Sequence, residues 1–215
     1  LDLKMPLSKG KTEAIAKDLL KKNKVTEAGI RLVLTGGPTD NGMDWTKPTL
    51  IILIEDLYKF PAKCYTAGAK LIIFDYQRLL PESKNNNYIH AIRLQPLKKQ
   101  KKATEILFTA EGKILECSMS NFFIFKGATL ITPKNNVLLG ITRKIILKMA
   151  KKKFKVEERD VKISELDSAS EALITATTKQ VMPIVNIDGH KIGSGKIGKN
   201  TKWLMEEYGK YTKHY

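Results

Sequence analysis

One stretch of the chain, residues 116–143, carries residue types that could bind and activate an anionic ligand. It opens with the carboxylate of Glu116, which stands just before a cluster of small polar residues. It closes where the apolar pattern predicts a helix beginning at Ile141, directly after Gly140. The apolar residues of this helix are expected to share one face: Ile141, Ile145, Ile146, Met149 and Ala150. A helix that follows a glycine presents free backbone N–H groups and the positive end of its dipole, and Thr142 adds a hydroxyl donor. The junction is therefore a candidate phosphate site, although an ordinary loop-to-helix junction has the same pattern.

The composition of the 215 residues is that of a globular protein with enough apolar residues to build real cores. The longest apolar run, residues 50–54, is too short to cross a bilayer. The first residues lack the apolar segment of a signal peptide. Two cysteines, Cys64 and Cys117, are too few for a disulfide framework. These features predict a cytoplasmic protein that does not bind membranes.

The formal net charge of +16 could indicate a partner such as nucleic acid or an anionic membrane. The densest lysine runs, residues 98–102 and 151–155, lie on or beside apolar periodic segments, where lysines usually form a solvated face. The chain carries no RNP, KH or zinc-finger pattern. We therefore expect the basic field to attract small anionic ligands rather than nucleic acid.

Helical and strand-like segments together predict an α/β protein of the α+β type with two domains. A helix over residues 11–23 and strands over residues 30–34, 49–54 and 69–74 form a small N-terminal domain, residues 1–79. Proline, serine and an asparagine run predict a linker over residues 80–87. Residues 88–215 form the larger C-terminal domain. Its predicted elements are helical segments over 88–103 (interrupted at Pro96), 163–166 and 201–211, a helix from Ile141, and strands over 105–109, 114–116, 122–125, 129–131, 155–159, 172–176, 181–187 and 190–193.

Three sequence blocks follow each other in a fixed order along the chain. The first is Lys84-x-x-Asn87-Tyr88. The second runs from Glu105 through Glu116-Cys117-Ser118-x-Ser120-Asn121 to Gly140-Ile141-Thr142-Arg143. The third runs from Glu171-Ala172 through Thr177 and Pro183 to Ile187-Asp188-Gly189. In this order and spacing they resemble the class IV aminotransferases, the pyridoxal 5'-phosphate (PLP) enzymes of fold type IV. That family includes branched-chain and D-amino-acid aminotransferases and aminodeoxychorismate lyase.

The resemblance implies catalytic roles for residues that the sequence alone would leave unremarkable. In the family, the lysine that matches Lys84 forms a Schiff base with PLP and later moves the proton of the substrate's α-carbon. The carboxylate that matches Glu116 pairs with the pyridine nitrogen, whose proton makes PLP an electron sink. The tyrosine that matches Tyr88 hydrogen-bonds the phenolic oxygen. Taken alone, Lys84 would be interpreted as a solvated loop lysine, Glu116 as an exposed strand end and Tyr88 as a packing residue.

The resemblance also implies the contacts that hold the rest of the cofactor. Leu138 matches the leucine that packs on the ring face. One side of the phosphate cup is implied by the match at Gly140, Ile141 and Thr142, in agreement with the helix start described above. The other side is implied by the match at Ala176 and Thr177. The family pattern further implies a homodimer and requires no metal.

The chain departs from the family pattern at three places. No counterpart of the family's N-terminal phosphate-binding arginine is found, so the first domain is expected to lack its first part. Thr35-Gly36-Gly37 stands where D-amino-acid enzymes tend to carry an arginine, which argues against D-specificity. Cys117 replaces the glycine usual in aminotransferases and is a lyase-like feature.

Together these observations predict a PLP-dependent aminotransferase that moves an amino group between an amino acid and a 2-oxo acid, with branched-chain substrates favoured. The alternative is 4-amino-4-deoxychorismate lyase, which would release pyruvate and 4-aminobenzoate from the same cofactor. A further alternative is a non-catalytic basic binding protein of the same fold.

Overall fold

The structure is a computed structural model that describes residues 2–44 and 47–214. Two compact units follow each other along the chain, the first ending at Lys59 and the second beginning at Phe60. The candidate site residues named above all belong to the second unit. Among the residues that the structure describes, no helix is both long and apolar enough to cross a membrane.

The first unit consists of a helix and a hairpin. Helix α1 spans Lys9–Lys22, and the hydroxyl of Ser8 accepts a hydrogen bond from an N–H of its first turn. Strand β1, Gly29–Thr35, pairs antiparallel with β2, Thr49–Glu55. The predicted helix and the first two predicted strands are therefore confirmed to within two residues at each end.

Within the described residues, the second unit contains one mixed sheet of ten strands. Its strand order is β8-β7-β6-β10-β11-β3-β4-β5-β9, with β12 beside β11, and the pairs β7–β8, β11–β3 and β3–β4 are parallel. The elements in chain order are α2 (Lys63–Thr66), β3 (Ala69–Asp75), α3 (Ile89–Arg93), α4 (Gln95–Gln100), β4 (Glu105–Ala110), β5 (Lys113–Cys117), β6 (Asn121–Lys126), β7 (Thr129–Thr132), α5 (Ile141–Ala150), β8 (Lys155–Glu158), β9 (Val161–Lys162), a 3-10 helix (Ile163–Leu166), β10 (Glu171–Ala176), β11 (Gln180–Ile187), β12 (His190–Lys191) and α6 (Lys199–Thr212).

Strand β3 belongs to the large sheet and not to the first unit. It pairs with β4 on one side and with β11 on the other, and Leu71 at its centre is buried. The sequence pattern predicted this strand in the N-terminal domain, residues 1–79, with the boundary at residues 80–87. The structure instead divides after Lys59, because both edges of β3 find their hydrogen bonds in the large sheet. Residues 80–87 form an irregular segment between β3 and α3.

Helices α5 and α6 cover one face of the sheet. The fully buried side chains Phe123, Phe125 and Leu173 of β6 and β10 pack against Ile146 of α5 and Leu204 of α6. This burial provides most of the driving force for docking both helices, at about 25 cal/mol per Å² of apolar surface. The opposite face of the same strands carries a second apolar cluster, which includes Phe122, Ile124 and Ile174.

One residue of the predicted apolar face of α5 lies outside this core. Ile146 and Ala150 are completely buried, as the helical period predicts, but Ile141 is 78% exposed. Ile141 stands in the first turn, before the helix reaches the sheet. The prediction that Ile141 shares the buried face is therefore wrong, and its exposure leaves the start of α5 open.

Candidate active site

Glu116 is a buried carboxylate held from two sides. Its Oε1 accepts a hydrogen bond of 2.7 Å from Arg78 Nε, and its Oε2 accepts one of 3.0 Å from the backbone N–H of Leu138. The side chains of Arg78 and Glu116 are 16% and 7% exposed, so their ion pair is largely shielded from solvent. Arg78 also donates to the carbonyl of Pro81, in the irregular segment that leads to Lys84. One guanidinium therefore connects the carboxylate to the segment that carries the candidate catalytic amine.

Burial dominates the electrostatics of this carboxylate. It raises the pKa of Glu116 above its ordinary value, because water no longer solvates the charged form. The N–H of Leu138, the Arg78 guanidinium and the Lys84 ammonium all act in the opposite direction and lower that pKa. Lys84 therefore lies near enough for its charge to act on Glu116, as their proposed sharing of one ligand requires.

The start of α5 stands beside this carboxylate. The side-chain amide of Asn121 donates to the carbonyl of Leu138 at 2.6 Å, while the N–H of Leu138 donates to Glu116. A Cβ atom at Gly140 would lie 2.3 Å from Oδ1 of Asn121, so only glycine permits this approach. No side chain of the described residues caps the first turn of α5. Its N–H groups are therefore available to an anion.

The turn between β10 and β11 forms the other candidate side of the cup. Thr175 pairs with Asn121 across the β6–β10 ladder, which places the turn at the same edge of the sheet as Asn121. Ala176 is half-buried and Thr177 is exposed. The hydroxyl of Thr175 is buried and has no hydrogen-bond partner among the described residues. This edge of the sheet therefore carries the exposed hydroxyl of Thr177 and the buried hydroxyl of Thr175, which has no hydrogen-bond partner among the described residues.

The remaining predicted site residues differ in exposure. Lys84 is exposed in the irregular segment, and Tyr88 is half-buried at the residue that precedes α3. Leu138 is half-buried, with its backbone bonded to both Glu116 and Asn121. Hydrogen bonds thus hold Glu116, Leu138 and the start of α5 together. Lys84 lies close enough to Glu116 for its charge to lower the Glu116 pKa. The cofactor roles of all nine predicted residues stay predictions.

Two residues at the centre of this arrangement were not predicted. Nothing in the local sequence of Arg78 indicates a pairing with a carboxylate 38 residues away. Asn121 was part of the second block, but its hydrogen bond to Leu138 and its close approach to Gly140 depend on the tertiary fold. A signal for Asn121 was present, because a glycine before a helix can indicate close backbone or side-chain approach.

The fold and the sequence have clear counterparts among known proteins. Branched-chain amino acid aminotransferase of Escherichia coli aligns over 97% of this chain and 73% of its own, with a TM-score of 0.85 and 23% identity. A Methanocaldococcus jannaschii protein, provisionally named a branched-chain-amino-acid aminotransferase, is 30% identical over 97% of this chain and 75% of its own length. D-alanine aminotransferase of Listeria monocytogenes serotype 4b is 29% identical over 97% of this chain and 75% of its own length.

The family comparison establishes the class of protein to which this fold belongs here. The sequence pattern of the class IV amino-transferases matches residues 1–187, and the chain belongs to the class IV aminotransferase family. It is an enzyme, a PLP-dependent transaminase. The predictions of family, fold class, enzyme type and cofactor are confirmed.

The residues of the site fit this cofactor. Arg78 and Leu138 each occupy one oxygen of Glu116, and a carboxylate has acceptor positions left for a pyridinium N–H. The start of α5 has no side-chain cap, and Gly140 before it has no Cβ to crowd the approach. Its free N–H groups therefore suit a phosphate group. Lys84 supplies an exposed amine near the carboxylate. The donor set therefore matches a ring nitrogen, a phosphate and an aldehyde.

Proposed function

We propose that this transaminase transfers the amino group of a branched-chain amino acid to a 2-oxo acid. The observation that carries the proposal is the buried carboxylate of Glu116, fixed between Arg78 and the residue that leads into the uncapped helix α5. Branched-chain substrates are favoured because a 30% identical relative and a structural counterpart both bear that name. Thr35-Gly36-Gly37, in place of a carboxylate-binding arginine, supports the L-specific choice.

When bound, PLP supplies an electron sink that stabilises negative charge at the substrate's α-carbon. Lys84 would hold the cofactor at its aldehyde carbon, and its amine would move the substrate's α-proton. Glu116 would accept a hydrogen bond from the pyridinium N–H and would favour the protonated ring. Arg78 favours the ionised form of Glu116, because its guanidinium lowers the pKa that burial raises.

The other predicted residues orient the cofactor. The N–H groups at Ile141 and Thr142, next to Gly140, would bind the phosphate from the side of α5. Ala176 and Thr177 would bind it from the β10–β11 turn. Tyr88 would donate to the phenolic oxygen, and Leu138 would pack on the ring. These roles rest on the match to the family blocks and on the common edge of the sheet.

A substrate panel tests the proposal. Purified protein loaded with PLP should lose its near-visible absorbance on addition of L-leucine, L-isoleucine or L-valine, with one equivalent of oxo acid released. D-alanine should leave the spectrum unchanged. If D-alanine reacts faster than the branched-chain L-amino acids, the substrate assignment is wrong. Release of pyruvate from aminodeoxychorismate without an added 2-oxo acid as amino-group acceptor would instead establish the lyase.

We also propose that the enzyme is a cytoplasmic homodimer. Cys64 and Cys117 are both buried free thiols, which suits a reducing compartment. Burial raises the pKa of the Cys117 thiol well above its usual range, so the thiol stays protonated and unreactive. Sedimentation equilibrium should give twice the chain mass of 24.2 kDa. A mass of 24.2 kDa at micromolar concentration would contradict the dimer.

A further inference from the structure

Lys179 and Glu105 form an ion pair inside the second unit. Lys179 Nζ lies 3.2 Å from Glu105 Oε2, and the two side chains are only 3% and 4% exposed. Removing two charges from water is costly, and an apolar pair of similar volume is often as stable. Such a pair therefore calls for an explanation beyond stability. The contacts of its two members indicate which segments it holds.

Glu105 organises the loop that joins β5 to β6. Its carboxylate accepts hydrogen bonds from the backbone N–H of Met119 at 2.5 Å and from the hydroxyls of Ser120 at 2.8 Å and Ser118 at 3.3 Å. This loop directly follows Cys117, the neighbour of Glu116, and directly precedes Asn121. A change in Glu105 therefore reaches residues on both ends of the loop.

Lys179 organises the turn that joins β10 to β11. Its N–H donates to the carbonyl of Ala176 at 3.2 Å, and its own carbonyl accepts from the hydroxyl of Tyr65 at 3.1 Å. Its ammonium lies 5.0 Å from the centroid of the Phe60 ring. These contacts hold the Lys179 side chain inside the unit while Thr177 and Thr178, in the same turn, stay exposed.

The loop and the turn leave the sheet at the same edge, because Asn121 and Thr175 are direct partners across the β6–β10 ladder. We propose that the Lys179–Glu105 ion pair locks these two segments together, so that Lys179 is a positioning residue for a phosphate monoester that it does not touch. The pair would keep Ala176 and Thr177 opposite the start of α5. The inference rests on the proposed role of Ala176 and Thr177 as one side of the phosphate cup.

Two probes that differ only in the phosphate separate positioning from general damage. The full chain, freed of cofactor, is titrated with PLP and with pyridoxal. We expect Lys179→Met to weaken PLP binding about tenfold to a hundredfold, as loss of an outer positioning contact typically does, and pyridoxal binding less than about threefold. Lys148→Met, which removes an exposed lysine of α5, should change neither constant. Equal losses for the two probes, or no loss for either, would overturn the proposal.

Two further variants keep the test decisive if Lys179→Met does not fold. Ser120→Ala removes one hydrogen bond to Glu105 without leaving a buried charge unpaired, and should show a smaller loss that is again confined to PLP. Lys179→Arg retains the charge and should recover at least part of the affinity. If wild-type protein binds PLP through a lysine other than Lys84, the proposed function loses its catalytic assignment. The phosphate-selective loss in Lys179→Met would still report on the ion pair.

Discussion

Replacing Arg78 by methionine should destabilise the protein in a pH-dependent way. Arg78 pairs with Glu116 at 2.7 Å, and both side chains are largely buried. Removing one partner of a buried pair costs about 3–5 kcal/mol. Glu116 retains the hydrogen bond from Leu138, so the loss at pH 8 should lie near the lower limit, about 3 kcal/mol.

The sign of the pH dependence follows from the carboxylate. Arg78 lowers the Glu116 pKa, so its contribution is present where Glu116 is ionised and declines as the pH falls through the pKa. In Arg78→Met the Glu116 pKa should rise further, because the guanidinium that lowers it is gone. Once Glu116 is protonated it carries no charge, so the loss of Arg78 no longer leaves a buried charge unpaired. Each pH unit across that interval recovers up to about 1.4 kcal/mol. The cost should therefore be smaller at pH 5 than at pH 8.

Urea unfolding of cofactor-free protein at pH 8 and pH 5, followed by circular dichroism, measures both values. Arg93→Met provides the matched control, since Arg93 is an exposed arginine at the end of α3, and it should cost less than about 0.5 kcal/mol at either pH. A cost for Arg78→Met that is the same at both pH values would refute the reasoning, because the effect would then not depend on the charge of Glu116.

Three other substitutions test separate parts of the structure. Gly140→Ala should cost about 1–3 kcal/mol in urea unfolding, because its Cβ would lie 2.3 Å from Asn121 Oδ1. In Gly209→Ala the Cβ meets open space in α6, so this control variant should be neutral or stabilising. Equal costs for the two variants would contradict the prediction. Glu171→Gln should cost about 1–2 kcal/mol, since the Glu171 carboxylate accepts hydrogen bonds of 2.7 Å and 3.1 Å from N–H groups in the first turn of α6. An unchanged midpoint of urea unfolding would exclude that role. Arg159 and neighbouring donors lower the pKa of Glu165 to about 2, so its contribution is complete above about pH 4.5 and is lost as the pH falls towards 2. Glu165→Gln should accordingly cost about 2 kcal/mol at pH 7, after allowance for solvent screening, and less than half of that at pH 3. A cost that grows on acidification would refute the assignment.

The sequence predicted the element types of the second unit well where apolar periodicity was strong. Strands such as β6 and β10, and helices α5 and α6, lie close to their predicted positions because their burial follows the period of their side chains. Pro96 interrupts the helical segment as predicted, with α3 ending at Arg93 and α4 beginning at Gln95. The elements missed, α2 and β9, have four and two residues, too few to produce a periodic pattern.

The membership of β3 and the contacts of the site could not be obtained in this way. A run such as Ala69–Asp75 predicts a strand, but the sheet it joins is decided by tertiary pairing with β4 and β11. Glu116 was identified only through the family resemblance, because a buried carboxylate needs partners that are distant in sequence. Arg78 and Leu138 are those partners, and their spacing from Glu116 carries no local signal.

The central claim is that one ligand lies between the amine of Lys84, the carboxylate of Glu116 and the start of α5. Borohydride reduction of the PLP-loaded protein, followed by proteolysis and mass spectrometry, tests it most directly. The account predicts a pyridoxyl group on the peptide that contains Lys84, and its absence in Lys84→Ala. A pyridoxyl group on a different lysine of the wild-type chain, or on none, would contradict the account.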